Sequence, residues 1–154
     1  MHEMRRRDRA LSEAEARETM ARADFGTLAT VGADGWPYAV VVNHVLDGDQ
    51  LYFHSGNAGH KLENIAFDER VSFSAVAQAR ILPEQVTTRY ESAVLFGRAT
   101  RVEEPAEKHR ALELLGRRFC PEAMAAVAAE IHKDGPRTVV VRIAIERLTG
   151  KASR

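Results

Sequence analysis

The chain has one cysteine, Cys120, in 154 residues, so an intramolecular disulfide framework and a cysteine-rich zinc site are both excluded. A lone thiol fits a reducing, cytoplasmic setting. Net charge is also missing: 22 Lys and Arg balance 22 Asp and Glu, whereas a dedicated nucleic-acid binder carries a basic excess. No window approaches the roughly 20 apolar residues of a membrane span. Residues 1–10 (MHEMRRRDRA) are basic with no apolar stretch behind them, so they read as a solvated arm and not as a signal peptide. Internal repeats, low-complexity tracts and linkers are absent, and a single domain over 1–154 is expected. What is present, 45% hydrophobic and 29% charged residues, is the balance of a globular chain with a real core.

Periodicity orders the elements. Ser12 and Glu15 form a capping box that opens a helix running to about Arg22. FGTLATV reads as a strand, and Asp34-Gly35 as the turn into a second strand over 37–47, whose Val40, Val41 and Val42 suit a buried position. After Gly48-Asp49 comes QLYFHS, completing an expected antiparallel meander. A short helix over 61–67 presents Leu62, Ile65 and Ala66 on one face. RVSFSAVA alternates as a strand, residues 78–90 read as an irregular loop, and a strand over 91–104 contains Gly97 as a bulge or close-approach point. Helices follow from Pro105, with Leu112, Leu115 and Phe119 on one stripe, and from Pro121 to about Ile131. The last strand spans 138–148. About six strands with helices between them predict a mainly β (α+β) domain, an antiparallel barrel closed to remove its edges.

The residues richest in chemistry are His54-Ser55-Gly56-Asn57-Ala58-Gly59-His60-Lys61. A strand end delivers a His and a Ser, glycines free the backbone, and a helix begins at a lysine. Open N–H groups, the positive end of the helix dipole and one cation suit a phosphate. A glycine loop with a solvated lysine is the plain alternative. Of the six histidines, His44, His54 and His60 lie close in sequence, but no H-E-x-x-H or carboxylate partner joins them into a metal site. His2, His109 and His132 read as surface residues. No G-x-S-x-G surrounds a serine, and Cys120 has no assignable histidine, so covalent catalysis has no support.

Three pieces of the sequence resemble a known family: G-x-L-A-T-V-x-x-D-G-x-P-Y at 26–38, L-Y-F-H-S…G-H-K-L-x-N-I at 51–65, and T-T-x-Y-E-S-x-x-x-F-G at 87–97. They are similar to the pyridoxamine 5′-phosphate oxidase-related flavoproteins, most of all to the nitroimidazole-resistance (Nim) type. The resemblance implies a six-stranded split β-barrel with flanking helices, binding FMN at a homodimer interface. It implies that the strand Tyr38, Val40, Val41, Val42, Asn43 lines the flavin ring, that His54, Ser55, His60 and Lys61 hold the phosphate, and that Ser92 approaches the flavin. His54 is the candidate catalytic proton donor, and a small molecule the electron acceptor. The oxidases carry an Arg-Lys pair where this chain has His60-Lys61, and Arg and Lys where it has Tyr38 and Asn43. Their substrate-gripping C-terminal signature is not evident in TVVVRIAIERLTGKASR. The expected activity is therefore an FMN-dependent oxidoreduction, with nitroimidazole reduction as a candidate and pyridoxamine phosphate oxidation excluded. A non-catalytic flavin carrier, or a split-barrel binder of haem or a deazaflavin, is the alternative.

Overall fold

The computed structural model describes residues 3–153, so the reading of His2 lies outside the described residues. The capping box forms as expected: Glu15 N donates to Ser12 Oγ and Ser12 N to the Glu15 carboxylate. It opens α1 (Glu13–Arg22), whose Ala16 and Met20 are fully buried. The strands are β1 (Phe25–Val31), β2 (Pro37–Asn43), β3 (Val45–Asp47), β4 (Gln50–Ser55), β5 (Arg70–Leu82), β6 (Thr87–Arg101) and β7 (Val139–Ser153). The helices α2 (His60–Phe67), α3 (Pro105–Phe119) and α4 (Met124–Asp134) lie between them.

All pairings are antiparallel, in one curled sheet of order β2-β1-β5-β6-β7-β4-β3. The result is a mainly β half-barrel with flanking helices, the split-barrel class read from the sequence. Among the described residues its strands number seven, because the stretch 37–47 is two strands and not one. β2 pairs with β1, β3 pairs with β4, and the two lie at opposite edges of the sheet. The expected meander is thereby corrected. His44 makes the break. Inward positions alternate at Val40, Val42 and His44, and the buried His44 ring donates from Nε2 to the Met20 carbonyl at 2.8 Å. Asn43 donates to the Asp24 carbonyl at 2.9 Å. Together they tie the corner to the end of α1, and the chain crosses from one edge of the split to the other.

Two further readings change. The expected loop at 78–90 is a long β5–β6 hairpin turning at Pro83–Gln85, with Val86 left-handed at φ 48°. Its polar and apolar residues alternate poorly because the arm is exposed on both faces, so periodicity carries no signal there. The last strand continues to Ser153 along β6. The arm ends against β7, where Ala10 bridges Lys151, and its Arg9 donates to Tyr90 Oη at 3.5 Å. Gly97 is the close approach expected of it, since a Cβ there would lie 2.2 Å from the Ala144 carbonyl oxygen, where the β6–β7 register shifts.

The core collects the inward row of each strand: Leu28, Leu51, Phe53, Phe73, Leu95 and Ile143 are all fully buried, with Met20 closing it from α1. Each such side chain contributes roughly 1.5–3 kcal/mol on burial. No helix among the described residues is long and apolar enough to cross a membrane.

His44 makes stability pH-dependent. Burial, with the Arg118 charge adding to it, lowers its pKa below the usual 6.5, while the Met20 bond and Asp24 act the other way. The neutral ring is the folded form. His54, though exposed, is lowered in the same direction by desolvation from its surroundings and by Lys61. The unfolded chain thus binds protons more readily than the folded one below about pH 6.5. Stability is expected to be full above that value and to fall as pH drops toward the lowered folded values. Urea midpoints between pH 5 and 8 check this, and His44→Gln should flatten the slope.

Candidate functional site

The candidate site begins where β4 ends. Ser55 is buried and its Oγ has no hydrogen-bond partner among the described residues. Burying a hydroxyl without a partner is costly, so this donor is suited to an acceptor not supplied by the protein. The chain then turns through residues 56–59 into α2. Gly59 adopts φ 136°, which side chains rarely reach, and its carbonyl accepts from Leu62 N and Glu63 N at 2.9 and 3.2 Å. No side chain caps α2, so the N–H groups of His60 and Lys61 have no intrahelical partner. The half-buried Lys61 takes no part in the ion pairs among the described residues. An unpaired hydroxyl, open amides and a lysine thus sit at the junction of β4 and α2, groups of the kind that suit an anion.

The position of α2 is set from beneath. Leu62 and Ile65 enter the core, and the buried Asn64 donates from Nδ2 to Thr30 Oγ1 of β1 at 2.9 Å. Sequence reading put Ala66 on that face. Ala66 is exposed, and Asn64 is the third anchor. Nothing in the hydrophobic pattern marks a buried asparagine, because its partner Thr30 is 34 residues away.

The other half of the site is β2. The His60 ring lies 4.1 Å from the Tyr38 ring, tilted by 36°, and joins the start of α2 to the start of β2. β2 is an edge strand, so backbone N–H and C=O groups on the side away from β1 have no strand partner. Tyr38, Val40 and Val42 turn inward, whereas Val41 and Asn43 point out. The β-branched run is therefore half exposed and not the buried strand expected. β2 also runs close to β4, so the sheet edge faces the strand that delivers His54 and Ser55.

Of the residues singled out by sequence, Tyr38, His54, Ser55, His60 and Lys61 gather around the start of α2, and β2 carries Val40, Val41, Val42 and Asn43 along the edge. Ser92 is not among them. It lies on β6 opposite Val76 and Lys151, with β1 and β5 between it and β2. Three strand spacings put it about 14 Å away across the sheet.

Sequence reading missed a second feature. α3 and α4 roof a cavity of about 450 Å³ whose strand-side wall includes Asn43 and His54. The stripe Leu112, Leu115 and Phe119 lines this space. From sequence it read only as one apolar stripe, since an apolar helix face looks the same over a core as over a cavity. Among the described residues no three His, Cys, Asp or Glu side chains converge as a metal site.

Residues 12–152 match the family model described as pyridoxamine 5′-phosphate oxidase. Among solved structures, the chain is similar to a candidate 5-nitroimidazole antibiotic resistance protein from Bacteroides thetaiotaomicron (23% identity, TM-score 0.76, 93% of this chain and 86% of that one). It is similar to an FAD and heme binding protein from Mycobacterium smegmatis (25% identity, TM-score 0.79, 93% and 72%). It shares the fold of a flavocytochrome from Azotobacter vinelandii (17% identity, TM-score 0.82, 99% and 73%). No curated protein sequence matches the chain.

Proposed function

The chain belongs to the pyridoxamine 5′-phosphate oxidase family, and on that premise we propose that it is an FMN-binding oxidoreductase, cytoplasmic and homodimeric, with the FMN phosphate between β4 and α2. The observation that carries the proposal is the unpartnered, buried Ser55 Oγ beside the open first turn of α2 and Lys61. These groups fit a phosphate: Ser55 donates its hydroxyl hydrogen, the His60 and Lys61 amides donate theirs, and Lys61 supplies the charge. His60, packed on Tyr38, holds the start of α2 against β2. The unpaired edge of β2 from Tyr38 to Asn43 offers donors and acceptors to the flavin ring. Bound FMN would supply the electron transfer, with a small molecule as acceptor. His54 is exposed, its pKa lowered by desolvation from neighbouring groups and by the Lys61 charge, and it would hold a proton on one ring nitrogen at the cleft.

Tyr38 and Asn43 stand where the resemblance implies cations in the oxidases, and that supports an acceptor other than pyridoxamine phosphate. Nitroimidazoles are candidates, supported by the likeness to the Bacteroides protein. Heme is the second reading, favoured by the Mycobacterium smegmatis likeness.

The dimer reading rests on the outer sheet face. The registers place Phe25, Val41, Val76 and Phe96 on one side, and all four are exposed in the single chain. Exposed apolar side chains gathered on one sheet face support a protein-contact surface there. Ser92 shares that face, so in the proposed assembly it belongs to the flavin of the second copy. Light scattering with absorbance detection is expected to show a particle of twice 17.1 kDa carrying flavin bands after FMN addition and desalting. A monomer without retained flavin would overturn both readings, and a Soret band in their place would select heme.

A further inference from the structure

The cavity under α3 and α4 meets the end of β2 at Asn43 and of β4 at His54, and extends from there under the two helices, beyond what a phosphate at the start of α2 requires. α3 is pinned at both ends. Glu107 accepts from Tyr52 Oη at 2.8 Å and from Arg142 at 3.0 Å, and Arg118 donates to the Arg22 carbonyl and to Asp24 at 2.9 and 3.0 Å. α4 has no buried residue of its own and packs on α3 and the adjoining turns. The sequence builds α4 with an apolar side, and that side covers open space.

The lining defines what fits. Leu112, Leu115, Phe119, Val127 and Ile131 make the walls. The polar groups are few: His54 and Asn43 on the strand side, Cys120 and Thr138, and two acids at the α4 end. Asp134 is paired with Arg137 and Lys133, and Glu130 with Lys133. Among the described residues no lysine or arginine lines the space. An anionic ligand would find no counter-charge, and a cationic one would find acids already paired, so charge would be desolvated without return. The volume, about 450 Å³, is that of a pocket for a drug-sized molecule, and a single five- or six-membered ring would leave most of it empty.

We propose that this cavity is a binding site for an uncharged, predominantly apolar molecule of two or three rings, its polar atoms directed at His54 and Asn43. Asn43 uses one amide hydrogen on the Asp24 carbonyl and keeps the other for a ligand oxygen. A neutral His54 has one ring N–H to donate. A quinone-like ring system, carrying carbonyl oxygens on an apolar body, has this chemistry. Because Asn43 ends β2 and His54 adjoins Ser55, the ligand would lie next to the proposed flavin, and its role as that flavin's acceptor rests on the function proposed above.

The test is direct binding, separate from turnover. Equilibrium dialysis or calorimetry would titrate a neutral naphthoquinone, and in parallel a sulfonated naphthoquinone, into the full chain with and without FMN. The neutral probe is expected to saturate at one per chain in both states, with the sulfonated one at least about tenfold weaker. Ala126→Trp, at an exposed helix position that lines the cavity, should weaken the neutral probe at least about tenfold while FMN retention is unchanged. Ala123→Phe fills the same space from the adjoining turn and guards against misfolding of the first variant. Absence of saturable binding, equal binding of the sulfonated probe, or unchanged binding in both folded variants would overturn the proposal. Loss of FMN together with the probe would overturn it too, assigning the cavity to the flavin ring. Failure of FMN to bind the wild-type chain, with the neutral probe still saturating, would sink the flavin reading and leave this site standing.

Discussion

Lys61→Glu is expected to remove FMN retention, weakening affinity by at least about tenfold and toward a hundredfold or more. A hydrogen bond to a charged partner is worth about 1.5–3 kcal/mol, and reversing the charge adds repulsion to the loss. The side chain is half-buried beside the open first turn of α2, so solvent replaces it poorly. Fluorescence titration with FMN at two salt concentrations measures the effect. His54→Ala serves as the contrast: it should keep the flavin and slow its turnover with reductant and acceptor. Retained affinity in Lys61→Glu would move the phosphate away from α2. Equal turnover in His54→Ala would remove its proton-donor role and leave the binding site as argued.

Phe73→Ala is expected to cost about 3–5 kcal/mol, a large part of the roughly 5–15 kcal/mol that a domain commands. Phe73 is fully buried in the centre of β5, between Leu28 of β1 and Leu95 of β6 in register. Its ring edge meets the His44 ring at a centroid distance of 4.9 Å. Removing it opens a cavity under β1 and loosens the corner where β2 hands over to β3. A drop in melting temperature of about 10 °C is expected for a chain of this size. Calorimetry checks it, and a change below about 1 kcal/mol would mean that the corner does not depend on this ring. Because that corner positions β2, flavin retention should weaken in the same variant, though less than in Lys61→Glu.

Much of the candidate site is local in the sequence and was therefore legible as a candidate. The stretch from His54 to Lys61 carries its own logic: a strand end, glycines and a helix start make an anion place wherever the rest of the chain goes. The capping box at Ser12 and the close approach at Gly97 are of the same kind, since each depends on neighbours or on a missing Cβ. Val40 to Val42 misled because β-branched residues mark a strand but not how many sides of it are covered. β2 is an edge strand, and its outer row is exposed.

Residue types and their spacing thus determined the helices, most of the strands, a mainly β antiparallel class and the glycine loop before α2, because hydrophobic period, turn chemistry and open amides act over a few residues, while the split barrel came through the resemblance of three motifs to a family. Tertiary structure alone decided the rest. It divided residues 37–47 at His44, whose partner is the Met20 carbonyl 24 positions back. It anchored α2 through Asn64 and Thr30, and it set Ser92 on β6, with β1 and β5 between it and β2. It also turned the stripe on α3 into the wall of a cavity. Each of these depends on which distant segments meet, and contacts of that range are set by the packing of the whole sheet and leave no local mark in the chain.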